Sequence, residues 1–71
     1  MATIDTTAPV VTITREEDGP WIITSTDCLS AEAPDEYDAE EVLAMAERVC
    51  RRTYAWHLTN DGFVSVGAIE D

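Results

Sequence analysis

Cys28, Cys50 and His57 are the thiols and the imidazole of this chain, side chains that can serve as nucleophiles, general bases or soft metal ligands. A catalytic histidine needs a nucleophile or an orienting carboxylate nearby. On a helical reading Cys50 and His57 share a face but stand two turns apart, ~10.5 Å of rise. One zinc ion would need both within ~2.3 Å. Two cysteines and one histidine therefore predict no zinc site. Cys50 lacks a CxxC partner and a matching base, so it reads as a small buried hydrophobe. His57 falls at the edge of an apolar helical stripe and reads as structural.

Carboxylates are abundant, but acid–base work needs a cleft that raises one pKa. A chain this small has little room for a pocket of ligand size. Asp35-Glu36-Tyr37-Asp38 and Glu40-Glu41 lack the spacing and the glycine of an EF-hand loop. The glycines are isolated, so there is no phosphate-cradling loop. The expectation is no catalytic residue, no cofactor, no metal, and a protein that is not an enzyme.

What remains is charge. Fifteen acids face four bases, a net charge of −11, with no lysine. The bases are Arg15, Arg48, Arg51 and Arg52. Such a balance repels nucleic acid and anionic membrane and favours basic partners. Simple solubility, or a salt-adapted host, is the plainer reading of the same numbers. The densest stretch runs from Asp27 to Glu41 and holds Asp27, Glu32, Asp35, Glu36, Asp38, Glu40 and Glu41 without a base. Glu16-Glu17-Asp18 and Glu70-Asp71 are further clusters. Asp38 and Glu41 are accounted for by helix capping, and Glu40 in part by the helix dipole. The candidate partner-binding residues are Glu16, Glu17, Asp18, Asp27, Glu32, Asp35, Glu36 and Glu40.

The elements that must position these residues follow from pattern. At 71 residues the chain is one domain with a small core. Its hydrophobic fraction of 45% is that of a folded protein. Residues 1–9 read as a flexible arm, at best a short edge strand. Residues 10–26 read as a β-hairpin turning at Glu17-Asp18-Gly19-Pro20. A three-residue loop pairs Ile13 with Ile23 and Arg15 with Trp21, which puts Val11, Ile13, Trp21 and Ile23 on one face. It also places Gly19 in the left-handed region, and Arg15 could lie over the Trp21 indole. Residues 26–34 read as a loop, with Leu29 plugging the core.

A helix is predicted over 35–58. Asp38 and Glu41 form a capping box, with a Tyr37–Val42 staple. Its buried stripe would be Val42, Met45, Ala46, Val49, Cys50, Thr53, Trp56 and His57. Glu47 and Arg51 would pair at i,i+4. Asn60-Asp61-Gly62 would stop the helix, and 63–69 would be a third strand with a bulge or close approach at Gly67.

The sum is an α+β two-layer sandwich, ββαβ: one amphipathic helix on a small three-stranded antiparallel or mixed sheet. A flat, uncovered face or edge invites a homodimer. No signal peptide or membrane span is read, so the expected compartment is cytoplasmic. A Cys28–Cys50 bridge stays open at this level.

Size, charge and compact α+β reading together resemble, as a class, the small acidic phage-encoded anti-CRISPR and DNA-mimic proteins. These share no motif, so the resemblance carries over no residue roles. It implies occlusion of a basic nucleic-acid groove in a defence complex, in the host cytoplasm. The segment from Val10 to Thr24 is also similar to the opening hairpin of HicB-type antitoxins, over about a quarter of the chain. That resemblance implies an acidic antitoxin or regulatory module neutralising a basic partner. The chain departs from it by showing no third strand before the helix and no DNA-binding region.

Overall fold

β-branched residues alternating with polar ones build the centre of the sheet. In the computed structural model the strands are β1 (Thr3–Asp5), β2 (Val11–Arg15), β3 (Trp21–Ser25), β4 (Ser30–Ala33), β5 (Thr53–Leu58) and β6 (Gly62–Glu70). Among the described residues one helix, α1 (Ala39–Cys50), lies between β4 and β5. The structure describes residues 3–15, 17, 19–27 and 29–70.

β6 is the spine. β5 pairs along one of its edges, while β2 and β1 lie end to end along the other, with Thr12 opposite Val64 and Ile4 opposite Ile69. β3 follows β2, and β4 follows β3, all antiparallel. The hairpin register is the predicted one, with Ile13 opposite Ile23 and Arg15 opposite Trp21. Burial selects it: Val11, Ile13 and Ile23 are fully buried and Trp21 nearly so. Val42 and Ala46 of α1 close over this face, with Ala33, Tyr54 and Ala68 completing the core.

The helix start is also as predicted. Asp38 accepts from the Glu41 amide at 2.9 Å, and the Glu41 carboxylate accepts from the Asp38 amide. Val42 is buried and Tyr37 packs against the core, as the staple requires.

The ββαβ, three-stranded expectation is overturned. Among the described residues the sheet has six strands and the helix is 12 residues long. The predicted 35–58 helix ends at Cys50, where Arg51 turns left-handed at φ 57°. Residues 53–58 are instead β5. Thr53, Trp56 and His57 continue the helical stripe, but Tyr54, Trp56 and Leu58 satisfy period two, and Thr, Tyr and Trp favour a pleated surface beside β6. His57 is therefore exposed on a strand opposite Val64, not at the edge of a helical stripe. The i,i+4 pair is replaced too: with Arg51 off the helix, the Glu47 carboxylate accepts from the Tyr54 amide at 2.8 Å.

The loop read over 26–34 contains β4, whose Ser-Ala-Glu-Ala has little strand propensity of its own. Pairing with β3 decides it. Part of the supposed arm is β1, docked on β6. Asn60-Asp61-Gly62 turns the β5–β6 hairpin rather than ending a helix, and Gly62 has φ +156°. A Cβ at Gly62 would lie 2.0 Å from the Ile13 carbonyl oxygen, so the β2–β6 approach requires glycine.

The irregularity expected near Gly67 is present. Trp56 pairs with Ser65 and Ala55 with Gly67, leaving Val66 bulged between them. The bulge shifts side-chain parity, so Ser65 and Ala68 are both buried. A Cβ on Gly67 would come within 2.4 Å of Ile4 Cγ2.

Candidate functional site

The topology divides the acidic residues between two ends of the sheet. β2, β4 and β5 all run toward one end, and α1 begins there. That end gathers Glu17 of the β2–β3 loop, Asp35 and Glu36 after β4, Asp38, Glu40 and Glu41 of the first helical turn, and Asp61 of the β5–β6 turn. Every one of these side chains is exposed.

Hydrogen bonds hold the loops together. The Arg15 amide donates to the Asp61 carbonyl at 3.1 Å, and Arg15 Nη2 donates to the Asp35 carbonyl at 3.0 Å. Trp21 Nε1 donates to the Tyr37 carbonyl at 2.9 Å. The Arg15 guanidinium lies 5.0 Å from the centroid of the Trp21 ring, as the hairpin register predicted. Beside these contacts is an open recess of about 420 Å³ lined by Trp21, Leu58 and Phe63. This pole thus combines exposed carboxylates, an apolar recess, and one base whose guanidinium is engaged.

The opposite end holds Arg48, Arg51 and Arg52 beside Asp5, Asp27 and Glu70. Asp5 accepts from the Thr7 hydroxyl at 2.6 Å and the Thr7 amide at 2.9 Å, which lowers its pKa. Ser25 Oγ donates to Asp27 Oδ1. Asp27 and Arg52 line a cleft of about 350 Å³ with Leu29, Cys50 and Tyr54. That volume stands at the lower end of ligand-pocket size, which begins at ~300 Å³. Burial, and then the neighbouring Cys50 thiol, raises the Tyr54 phenol above its ordinary range. Cys50 is half-buried with a free thiol, and Cys28, the other half of the considered bridge, lies outside the described residues.

The eight candidate residues are therefore not one surface. Glu17, Asp35, Glu36 and Glu40 come together at the acidic pole. Asp27 is at the other end. Glu32 is exposed on β4, opposite Ile22 on the uncovered sheet face. Glu16 and Asp18, with the conformation proposed for the turn around them, lie outside the described residues, as does Asp71. Asp61 was missed because its turn read as a helix stop. Asp38 and Glu41 were set aside as capping residues, yet their charge remains at the surface.

Among the described residues no group of three or more His, Cys, Asp or Glu side chains is arranged to hold a metal ion. No described helix is long and apolar enough to cross a membrane. Comparison with protein-family models, curated proteins and solved structures finds no match.

Proposed function

We propose that the protein is a charge-mimic inhibitor that presents its acidic pole to the nucleic-acid-binding groove of a basic target. The observation that carries this reading is the gathering of carboxylates from the β2–β3 loop, the β4–α1 turn, the first turn of α1 and the β5–β6 turn at one end. Four inter-strand spacings span ~19 Å. Duplex DNA carries about 11 charges over that length. The carboxylates at the pole approach that density within a factor of about two. A groove evolved for phosphates accepts them by the same electrostatics. The recess at Trp21 and Phe63 adds apolar surface that a phosphate array lacks. A phage anti-CRISPR acting on a CRISPR effector complex in the host cytoplasm is the specific form of this proposal.

The test is displacement of DNA from such a complex by excess protein, with and without the triple charge reversal of Asp35, Glu36 and Glu40 to lysine. The wild type should release DNA at low salt, and the triple variant should lose at least tenfold in potency while keeping its circular dichroism spectrum. Full potency in the variant would reduce the acidic pole to solvated surface.

β4 favours a second reading. A third strand, β4, precedes the helix, which narrows the departure from the HicB-type antitoxin pattern. In that case the same pole would neutralise a basic toxin. Co-purification with a basic ribonuclease, and protection of RNA from it, separates the two readings.

A further inference from the structure

One large apolar side chain on the covered face of the sheet is left open. Leu58 stands opposite Phe63 in the β5–β6 ladder, and Phe63 stands opposite Ile13 in the β2–β6 ladder. Cross-strand partners share a face, so all three lie on the side that α1 covers. Ile13 is fully buried there, whereas Leu58 is 70% exposed. The helix begins at Ala39, which lines the recess of about 420 Å³ together with Leu58, Phe63, Trp21 and the β5–β6 turn. Asp61 of that turn lines it too, and is exposed. The turn is held in place: the Asp61 carbonyl accepts from the Arg15 amide at 3.1 Å, and the Thr59 amide donates to the Gly62 carbonyl at 2.8 Å. The recess is therefore preformed, apolar on its floor and acidic at its edge.

We infer that this recess is the anchor point of the acidic pole and takes the side chain of an arginine presented by the basic partner; the inference rests on the inhibitor reading and names the residue type that reading engages. Leu58 and Phe63 supply an apolar bed for the methylene stem, and the Asp61 carboxylate receives the guanidinium. The chain already shows this mode on the wall of the recess. There the Arg15 guanidinium lies 5.0 Å from the Trp21 ring centroid and donates to the Asp35 carbonyl at 3.0 Å. Arg15 is a like charge to the incoming one, but it is engaged, and the exposed carboxylates of Asp35, Glu36, Glu40 and Asp61 outnumber it. Charge complementarity thus selects a cation over an apolar side chain, which would fill the recess without using that field. The aromatic wall selects arginine over lysine, because a planar, weakly hydrated guanidinium stacks on a ring and a compact ammonium stays in water. A groove built to hold phosphates is where such arginines are presented.

Chemical-shift titration of the whole isotope-labelled protein with N-acetyl-arginine methylamide tests the inference. The probe should move the Leu58, Asp61 and Phe63 amides and the Trp21 indole N–H saturably at ~10 mM, and leave the Ser25 amide at the other end of β3 unmoved. The lysine and leucine counterparts should each bind at least about threefold more weakly. Asp61→Asn and Leu58→Ser change exposed side chains, so both should keep the circular dichroism spectrum and each weaken the arginine probe by about fivefold. No saturable shift at the recess, a lysine or leucine probe that binds as tightly as arginine, or full affinity in both variants would each overturn it. The comparison of probes on the wild type decides the matter even if a variant does not fold. None of these readouts uses the proposed target. Failure here with DNA displacement intact leaves the inhibitor reading standing, and arginine binding without displacement sinks that reading alone.

Discussion

At the scale of single residues, the fold depends on a few polar groups placed where backbone cannot pair. Ser65 is 4% exposed, and its hydroxyl accepts from the fully buried Val11 amide at 2.7 Å. Val11 is the β2 residue that would continue the β2–β6 ladder, and the bulge at Val66 interrupts that ladder there. The side chain stands in for the missing carbonyl. Ser65→Ala should therefore cost about 1–3 kcal/mol in urea denaturation, the penalty of an orphaned buried donor. A loss below about 0.5 kcal/mol would show that the Val11 amide finds another partner. Trp56 is a contrasting case: its buried indole N–H has no acceptor among the described residues. The ring is held by packing, including a tilted contact with Tyr54 at 5.4 Å between centroids.

Among the elements, β1 is the one whose attachment hangs on a neighbour's missing side chain. Ile4 is 56% exposed, so little burial holds this three-residue strand to β6. What permits its docking is the bare Cα of Gly67, over which the Ile4 side chain lies. Gly67→Val should displace β1, at a cost of about 1–3 kcal/mol from overpacking. Backbone amide exchange would check this: the Ile4 amide should lose protection while β2 and β3 keep theirs. Retained protection at Ile4 would mean that the strand shifts to accommodate the new side chain. The helix behaves differently, because its start is written locally in the Asp38–Glu41 capping box. Its end is set by Arg51 and by the strand that follows.

For the molecule as a whole, charge separation sets how association responds to salt. Binding of the acidic pole to a basic groove releases ions, so raising salt from ~50 to ~200 mM should weaken it at least tenfold. Pairing of two −11 chains is opposed by long-range repulsion, and the same salt should strengthen it by screening. Measured in the same buffers, the two equilibria should move in opposite directions.

Composition and local pattern determined much of this protein. Net charge, the hairpin register, the capping box, the last strand and the close approach at Gly67 were all legible in the residues. Each rests on neighbours a few positions apart: a β-branched face that only one register buries, a carboxylate within reach of its own helix's amides, a glycine where no Cβ fits. β4 and β5 were not legible, and β1 was legible only as the short edge strand that a flexible arm could at best form. Ser30–Ala33 has weak strand propensity, Thr3–Asp5 offers one apolar residue, and Thr53–Leu58 fits a helical and a strand period alike. Their identity comes from hydrogen-bonding partners distant in the chain, which only the assembled sheet supplies. The candidate site divides along the same line. That the chain is acidic could be read from its residues. That Asp35, Glu36, Glu40 and Asp61 share a pole while Asp27 lies at the other was decided by strand direction, because each turn's position depends on which strands the sheet places beside it.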